Sequence, residues 1–256
     1  MQEILFGRQP VYETLRAARR RVYKLLIAQG VRPTGIIEQI LSLAEQASVP
    51  VQVLDRNKFD KLGGEVNHQG LAAEVSEYPY LELGTLVESA GQSCDPFVLL
   101  VDHVGDPQNL GSLLRTAEAV GVHGVVIPQR RAAPVTPAAV RASAGAAEHV
   151  RVALVTNLVR AMTELKAGGL WLAGLEAVPE AQPYTEADLS GALGLVVGSE
   201  GNGLARLVKE TCDFLIRLPM RGEVESLNAS VAGAVALYEA RRQRDLAIGR
   251  ARQSRE

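Results

Sequence analysis

Two arrangements in this chain could do chemistry, and both sit where an apolar run gives way to a polar turn. The first is Leu195-Val196-Val197 followed by Gly198-Ser199-Glu200-Gly201-Asn202-Gly203. Glycines at the carboxyl end of a strand let backbone come close to a ligand, and turns of this kind usually cradle one. After a short amphipathic stretch, the apolar run 214–218 ends at Pro219 and opens a polar loop from Arg221 to Ser226, beyond which Asn228 and Ser230 begin a long helical pattern. Two such strand ends, close in sequence, define a pocket lined by backbone N–H and C=O groups and suited to a small amphipathic cofactor.

The second arrangement is Asn109 and Arg115, six positions apart in a helical pattern that follows the strand pattern 97–104. An arginine there can bind phosphate or pair with a surface carboxylate. Asn109 can bridge backbone and ligand, or it can cap the helix that begins beside it. Glu200 sits in the first turn after a strand, where a carboxylate favours a helix dipole. Ser226 and Asn228 flank Leu227 at the opening of the last helix, a position that also suits caps. His68, His103, His123 and His149 are scattered without metal-ligand spacing, so they are read as structural or exposed and no metal site is expected. Ser199 lies in GSEGNG and not in the GxSxG of a hydrolase elbow.

In chain order, FVLLVDHVGDPQNLGSLLRTAEAVGV, LVVGSEGNGL and IRLPMRGEVESLNAS resemble the three signature motifs of the SpoU (TrmH-type) RNA 2′-O-ribose methyltransferases, a branch of the SPOUT superfamily. The resemblance runs through LFGRQPVYETLRA and HQGLAAEV as well, as in the two-domain members that modify large-subunit rRNA; Ala229 stands where Val is common. It implies S-adenosylmethionine as cofactor, held by Gly198, Ser199, Gly201, Ile216, Leu218, Met220 and Leu227, mostly through backbone atoms. It implies Asn109, Arg115, Glu200, Ser226 and Asn228 as the catalytic set. Methyl transfer to a ribose 2′-hydroxyl needs an in-line nucleophile, a way to remove its proton and a seat for a cationic donor. The resemblance makes Arg115 either the general base or a group that binds phosphate and stabilises the developing alkoxide. A guanidinium with a pKa above about 12 favours the second role. Glu200 would orient Asn109, Arg115 or a ribose hydroxyl.

The resemblance also implies a homodimer in which the partner completes each site, and a deep trefoil knot ahead of the last helix. The target it implies is a guanosine ribose in 23S rRNA. Residues 141–150, RASAGAAEHV, look like the bacterial enzymes that modify the peptidyl-transferase-region guanosine. An adenosine-specific rRNA enzyme has a similar layout, which leaves the base open.

The elements that must position these residues form an α/β chain. Residues 1–76 alternate helix 10–18, strand 22–28, helix 36–47, strand 51–54 and strand 71–75, a small α/β domain for which the resemblance implies an L30e-like RNA-binding module. Weakened periodicity with Gly, Ser, Pro and Tyr places a linker at 77–96. From 97 to 256, strands and helices alternate: 97–104, helix 110–120, 124–128, helix 137–147, 150–155, helix 158–166, 170–175, the glycine-rich stretch, and helix 227–244. That pattern predicts a parallel sheet with helices on both faces. The small residues of the last helix suggest a close helix contact, and with the resemblance, a dimer face.

At 256 residues with 47% hydrophobic content the chain can bury a sufficient core. Its net charge of −2 excludes a protein that holds nucleic acid by overall charge, so RNA binding must be local. Candidate basic clusters are Arg16, Arg19, Arg20, Arg21 and Lys24, the pair Arg130 and Arg131, and the tail from Arg241 to Arg255. Two isolated cysteines, Cys94 and Cys212, form no disulfide framework and no CxxC pair, as expected in a reducing compartment. The chain start lacks a signal-peptide pattern and no run approaches the ~20 apolar residues of a membrane span, so a cytoplasmic protein without membrane contact is expected. Two competing readings remain at this level. A nucleotide-binding oxidoreductase shares the parallel sheet, although GNGLAR lacks the third glycine of its fingerprint. A non-catalytic RNA-binding assembly factor would keep the fold without turnover.

Overall fold

The computed structural model describes residues 2–93, 95–224 and 226–253; Cys94 and Arg255, named above, lie outside them. The chain packs as two compact units, Met1–Pro79 with Val135–His149, and Tyr80–Pro134 with Val150–Glu256.

The first unit is built from β1 (Gln2–Phe6), α1 (Arg8–Ala17), β2 (Val22–Ala28), α2 (Ile36–Gln46), β3 (Val51–Leu54), α3 (Arg56–Gly63) and β4 (Leu71–Ser76). Its sheet runs β1-β4-β2-β3, with β4 antiparallel to both neighbours and β2 parallel to β3. Sequence periodicity predicts β2 and β3 at their observed limits but neither β1 nor α3. β1 has no clean two-residue alternation and is fixed by pairing with β4, a long-range contact. The polar α3 buries Phe59 and Gly63, and its start is set by Asp55, whose carboxylate accepts from the Asn57 and Lys58 amides.

Residues 135–149 depart from expectation. The helix read over 137–147 stops at Ala142 as α6 (Pro137–Ala142), a 3₁₀ turn follows at Ala146–Glu148, and the segment packs with the first unit instead of covering the parallel sheet. Past the helix end Ala144 and Gly145 both take the left-handed region, at φ 52° and 87°, and a Cβ on Gly145 would come within 2.7 Å of Glu13 Cβ and 3.1 Å of the Gln9 carbonyl. The segment is tied down by polar contacts. Tyr78 Oη donates to the Ala147 carbonyl at 2.8 Å. The fully buried Arg20 guanidinium pairs with Glu148 at 3.5 Å and with Glu3 at 3.0 Å. Burial pushes the Glu148 carboxyl up, against the pull of Arg20 and Arg19. Arg20, one of the candidate basic cluster, is therefore internal.

The second unit continues with α4 (Leu83–Gly91), β5 (Phe97–Val101), α5 (Pro107–Ala119), β6 (Gly124–Pro128), β7 (Val152–Val155), α7 (Leu158–Ala167), β8 (Trp171–Leu175), β9 (Gln182–Pro183), β10 (Leu193–Val197), α8 (Arg206–Thr211), β11 (Phe214–Arg217) and α9 (Ala229–Gln253). Its sheet is ordered β7-β6-β5-β10-β8-β11-β9, and every pair is parallel. β5, β6 and β10 are buried along their whole length, which is why they read as continuous apolar runs. The stretch predicted as linker carries α4, whose Leu86 is fully buried and sits where a Cβ on Gly124 would fall, 2.5 Å from Leu86 Cδ1. Register places Val197 beside Val101 on one side and Leu175 on the other, so β5, β10 and β8 deliver their carboxyl ends to one place.

Arg20→Ala should destabilise the protein by about 3–5 kcal/mol, because it strands Glu148 and Glu3 without their buried counter-charge. Urea unfolding measures this, and a loss below about 1 kcal/mol would show that the pair contributes little.

Candidate active site

The loop after β10 folds back on itself. Ser199 and Gly203 exchange backbone hydrogen bonds, both at 3.1 Å. A Cβ on Gly198 would lie 2.4 Å from the Gly203 carbonyl carbon and oxygen and 2.7 Å from the Leu204 nitrogen, so only glycine fits. Gly203 adopts φ 61°, and a Cβ there would meet the Glu176 carboxylate at 2.5 Å. Two carboxylates hold the far side of the loop. Glu176 Oε2 accepts from the Leu204 amide at 2.9 Å, and Asp102 Oδ2 accepts from the Ala205 amide at 2.7 Å. Asp102 is fully buried at the end of β5, while Glu176 follows β8. Neither was singled out in the sequence, and no motif marks them; each simply follows an apolar strand.

Against this loop lies a cavity of about 420 Å³, walled by the ends of β8, β10 and β11 and by the start of α9. Gly198, Ser199, Gly201, Leu218, Met220 and Leu227 line it, as does Ser226. Ile216 does not. Its side chain is fully buried in the sheet, and its carbonyl accepts from the Glu176 amide at 2.9 Å. Ile216 lies inside β11, whereas Arg217 at the strand's end and Leu218 just beyond it line the cavity.

Asn109, Glu200 and Asn228 converge from three elements. Asn109 Nδ2 donates to Glu200 Oε2 at 3.2 Å, and Asn228 Nδ2 donates to Asn109 Oδ1 at 2.9 Å and to Glu200 Oε2 at 3.2 Å. Ser230 Oγ adds donation to Asn109 Oδ1 at 3.3 Å and to Asn228 Oδ1 at 2.7 Å. Asn109 is not a helix cap: Asp106 caps α5, accepting from the Gln108 and Asn109 amides, and this leaves the Asn109 side chain free for the cluster. Asn228 serves both purposes, since its Oδ1 also accepts from the Ser230 and Val231 amides at the head of α9. Glu200 belongs to the loop and not to a helix turn, because α8 begins only at Arg206. Ser226 lines the cavity but the serine of the cluster is Ser230, the residue that the sequence marks only as helix-opening.

Arg115 stands apart from this cluster. Six residues at about 100° each place it roughly 120° around α5 from Asn109. It is exposed, and among the described residues it has no ion-pair partner. The Cys212 thiol, pushed up to about 12 by burial, supplies no nucleophile.

α9 is fixed at its far end too. The Arg244 guanidinium donates to the carbonyls of Asp95 at 2.9 Å, Pro96 at 3.2 Å and Gly191, and stacks over Phe97 with its carbon 4.5 Å from the ring centroid. Gln243 accepts from the Leu189 amide at 2.8 Å and donates to the Ala187 carbonyl at 3.0 Å. The small-residue face packs inside the chain: a Cβ on Gly233 would lie 2.6 Å from Leu113 and 3.3 Å from Val197. The exposed face carries Val231, Val235 and Tyr238.

Comparison with known proteins agrees with this geometry. The family described as SpoU rRNA Methylase matches residues 96–238, and that described as RNA 2′-O ribose methyltransferase substrate binding matches residues 4–81. A putative TrmH family tRNA/rRNA methyltransferase of Bacillus subtilis is 44% identical over 245 residues, covering 95% of this chain and 96% of that one. Among solved structures, the SpoU methyltransferase AviRb from Streptomyces viridochromogenes, in complex with AdoMet, superposes with a TM-score of 0.78 at 24% identity over 95% of this chain and 90% of its own. The TrmH/SpoU tRNA modifying enzyme of A. aeolicus gives a TM-score of 0.55 at 30% identity, over 64% of this chain and 82% of its own. The close-approach backbone at three parallel strand ends, joined to an Asn-Glu-Asn cluster, places a polar site beside a cavity of cofactor size. The chain belongs to the SpoU/TrmH family of S-adenosylmethionine-dependent RNA 2′-O-ribose methyltransferases.

Gly198→Ala should weaken S-adenosylmethionine binding at least tenfold, or about 1.4 kcal/mol, because the loop must open to admit the methyl group. Calorimetry on a variant with native circular dichroism checks it; unchanged affinity would move the cofactor out of this cavity. Asn228→Ala removes a cap and the cluster's central donor, so we expect about 1 kcal/mol of lost stability together with a turnover loss far larger than that accounts for. Turnover within threefold of wild type would remove the cluster from the chemistry.

Proposed function

We propose that this enzyme transfers the methyl group of S-adenosylmethionine to the 2′-hydroxyl of a guanosine ribose in 23S rRNA, as a cytoplasmic homodimer. The observation that carries the site assignment is the adjacency of the glycine-walled cavity and the Asn109–Glu200–Asn228 cluster, with Glu200 lining the cavity and bonded into the cluster. Backbone that only glycine permits at Gly198, flanked by Leu218, Met220 and Leu227, fits an amphipathic adenosyl and amino-acid ligand. Bound there, S-adenosylmethionine supplies an electrophilic methyl group. Gly198, Ser199, Gly201, Leu218, Met220 and Leu227 hold it, and Asn109, Glu200, Ser226 and Asn228 position the acceptor.

Arg115 serves RNA phosphate or the developing alkoxide in this reading, and its exposure and lack of an ion-pair partner among the described residues support that role. The dimer reading rests on Val231, Val235 and Tyr238, exposed at 50%, 38% and 57% with the i, i+4, i+7 spacing of one helix face. The trefoil knot implied by the motifs belongs to the same proposal.

The choice of large-subunit rRNA over tRNA follows from layout. The tRNA modifying enzyme of A. aeolicus matches 64% of this chain, whereas the first unit here is a full α/β module matched by a substrate-binding family. Mapping 2′-O-methyl positions in RNA from a strain lacking the protein should show one missing mark in 23S rRNA; loss of a tRNA mark with rRNA unchanged would sink the rRNA assignment. Arg115→Ala should lower turnover at least a hundredfold with cofactor affinity within threefold of wild type, and activity within a few-fold of wild type would remove Arg115 from the mechanism.

A further inference from the structure

The cavity beside the glycine-rich loop is lined by three charged residues, Glu176, Glu200 and Arg217, two carboxylates and one guanidinium. The two carboxylates differ in what they are left free to do. Glu200 is committed to the polar cluster, accepting from Asn109 and Asn228 through Oε2. Glu176 lies just past the carboxyl end of β8, with its side chain only 13% exposed. Its Oε2 accepts from the Leu204 amide at 2.9 Å, and this bond fixes where the carboxylate sits. Among the described residues no hydrogen bond reaches Oε1. Lys209 Nζ, on α8, stands 3.8 Å from it, beyond hydrogen-bond reach and outside the cavity lining. A mostly buried carboxylate with one oxygen unbonded, at the wall of a cavity, is a charge that a bound ligand meets with little water to screen it.

S-adenosylmethionine changes its charge when it reacts. Its sulfonium sulfur carries a formal positive charge; when the methyl carbon passes to the ribose oxygen, sulfur keeps the electron pair of the broken bond and becomes a neutral thioether. The adenosyl and amino-acid parts are the same before and after. Apart from one methyl group, charge is therefore all that distinguishes donor from product, and apolar contacts with a single methyl discriminate weakly. We propose that Glu176 is the specificity-determining anion of the cofactor cavity: its carboxylate favours the sulfonium donor over the neutral thioether product, S-adenosylhomocysteine. This deepens the cofactor reading above and rests on it. Glu200 and Arg217, charges of opposite sign on the same lining, offset one another, so Glu176 sets the sign that remains. The attraction disappears with the sulfonium charge, and the spent molecule gives way to a fresh donor after each turnover.

The test is titration calorimetry on the intact protein with S-adenosylmethionine and with S-adenosylhomocysteine, in wild type, Glu176→Gln and Glu176→Asp. Glutamine keeps an oxygen that can accept from the Leu204 amide but carries no charge. Glu176→Gln should therefore lower the ratio of donor affinity to product affinity at least about fivefold, the effect expected of one unit charge at close range in a partly buried site. Aspartate keeps the charge, so Glu176→Asp should hold that ratio within about twofold of wild type even where both affinities fall. Loosening of the loop alone weakens both ligands alike and leaves the ratio where it was, which separates charge recognition from a purely structural role. Glu176→Ala, judged on the same ratio, replaces Glu176→Gln if circular dichroism shows the glutamine variant unfolded. A ratio within about twofold of wild type in the uncharged variant would overturn the proposal, as would an equal fall in Glu176→Asp. Wild-type protein that binds neither ligand would overturn the cofactor reading, and this inference with it.

Discussion

The backbone's approach to itself at Gly198 and Gly203 is the constraint on which the site depends. A loop closed that tightly has amides that no helix or strand can satisfy, and unsatisfied buried amides each cost a few kilocalories. The structure meets this with carboxylates from both neighbouring strands, Asp102 from β5 and Glu176 from β8. Those carboxylates can reach the loop only because β10 lies between β5 and β8 in one register. The sheet order thus serves the loop directly, and the cavity lies against its wall.

α9 is the second fixed point. Its head carries Asn228 and Ser230 into the cluster, and its far part is bound to the lower edge of the same sheet through Arg244 and Gln243. Glycine and alanine let the helix lie close on α5 and β10 between those ends. Burial and the neighbouring Arg241 draw the Arg244 guanidinium down from its usual range, opposed by Asp95, yet three carbonyl acceptors keep the charge well matched. A helix held at both ends can place an asparagine at its start without relying on the loop that precedes it.

Much of this was legible in the sequence, and the gaps have physical causes. Continuous apolar runs predicted the buried strands, and glycine spacing predicted the loop, because both signals are local. The Asn109 to Asn228 cluster was legible only as separate candidates, since 119 positions of chain separate its ends. Asn109 also reads as a helix cap from sequence, a role that Asp106 takes in the structure. α4 was legible only as a short helical turn within the linker, because its apolar face is set by Leu86 and Ala90, too few for a full helical period to show. Residues 137–147 read as one helix because alanine favours it. The break at Gly145 and the burial of Glu148 are tertiary facts, decided by Arg20 more than a hundred residues away.

Charge is where local and global readings diverge most. A net charge of −2 gives no general attraction for RNA, so affinity depends on which cations still face solvent. Arg20 and Arg244 are occupied inside the protein, Arg206 pairs with Glu210 at 2.7 Å, and Arg241 pairs with Asp245 at 2.7 Å. Arg115 and Arg131 are different: both are exposed, and neither has an ion-pair partner among the described residues. A cation tied to a carboxylate neutralises no phosphate until that pair breaks, whereas an untied one contributes its full share of counterion release. Exposed arginines without an ion-pair partner among the described residues occur in both units, Arg32 and Arg56 in the first and Arg115, Arg130 and Arg131 in the second, so the weak basic signal is spread over the surface and any RNA contact is built from separate local charges.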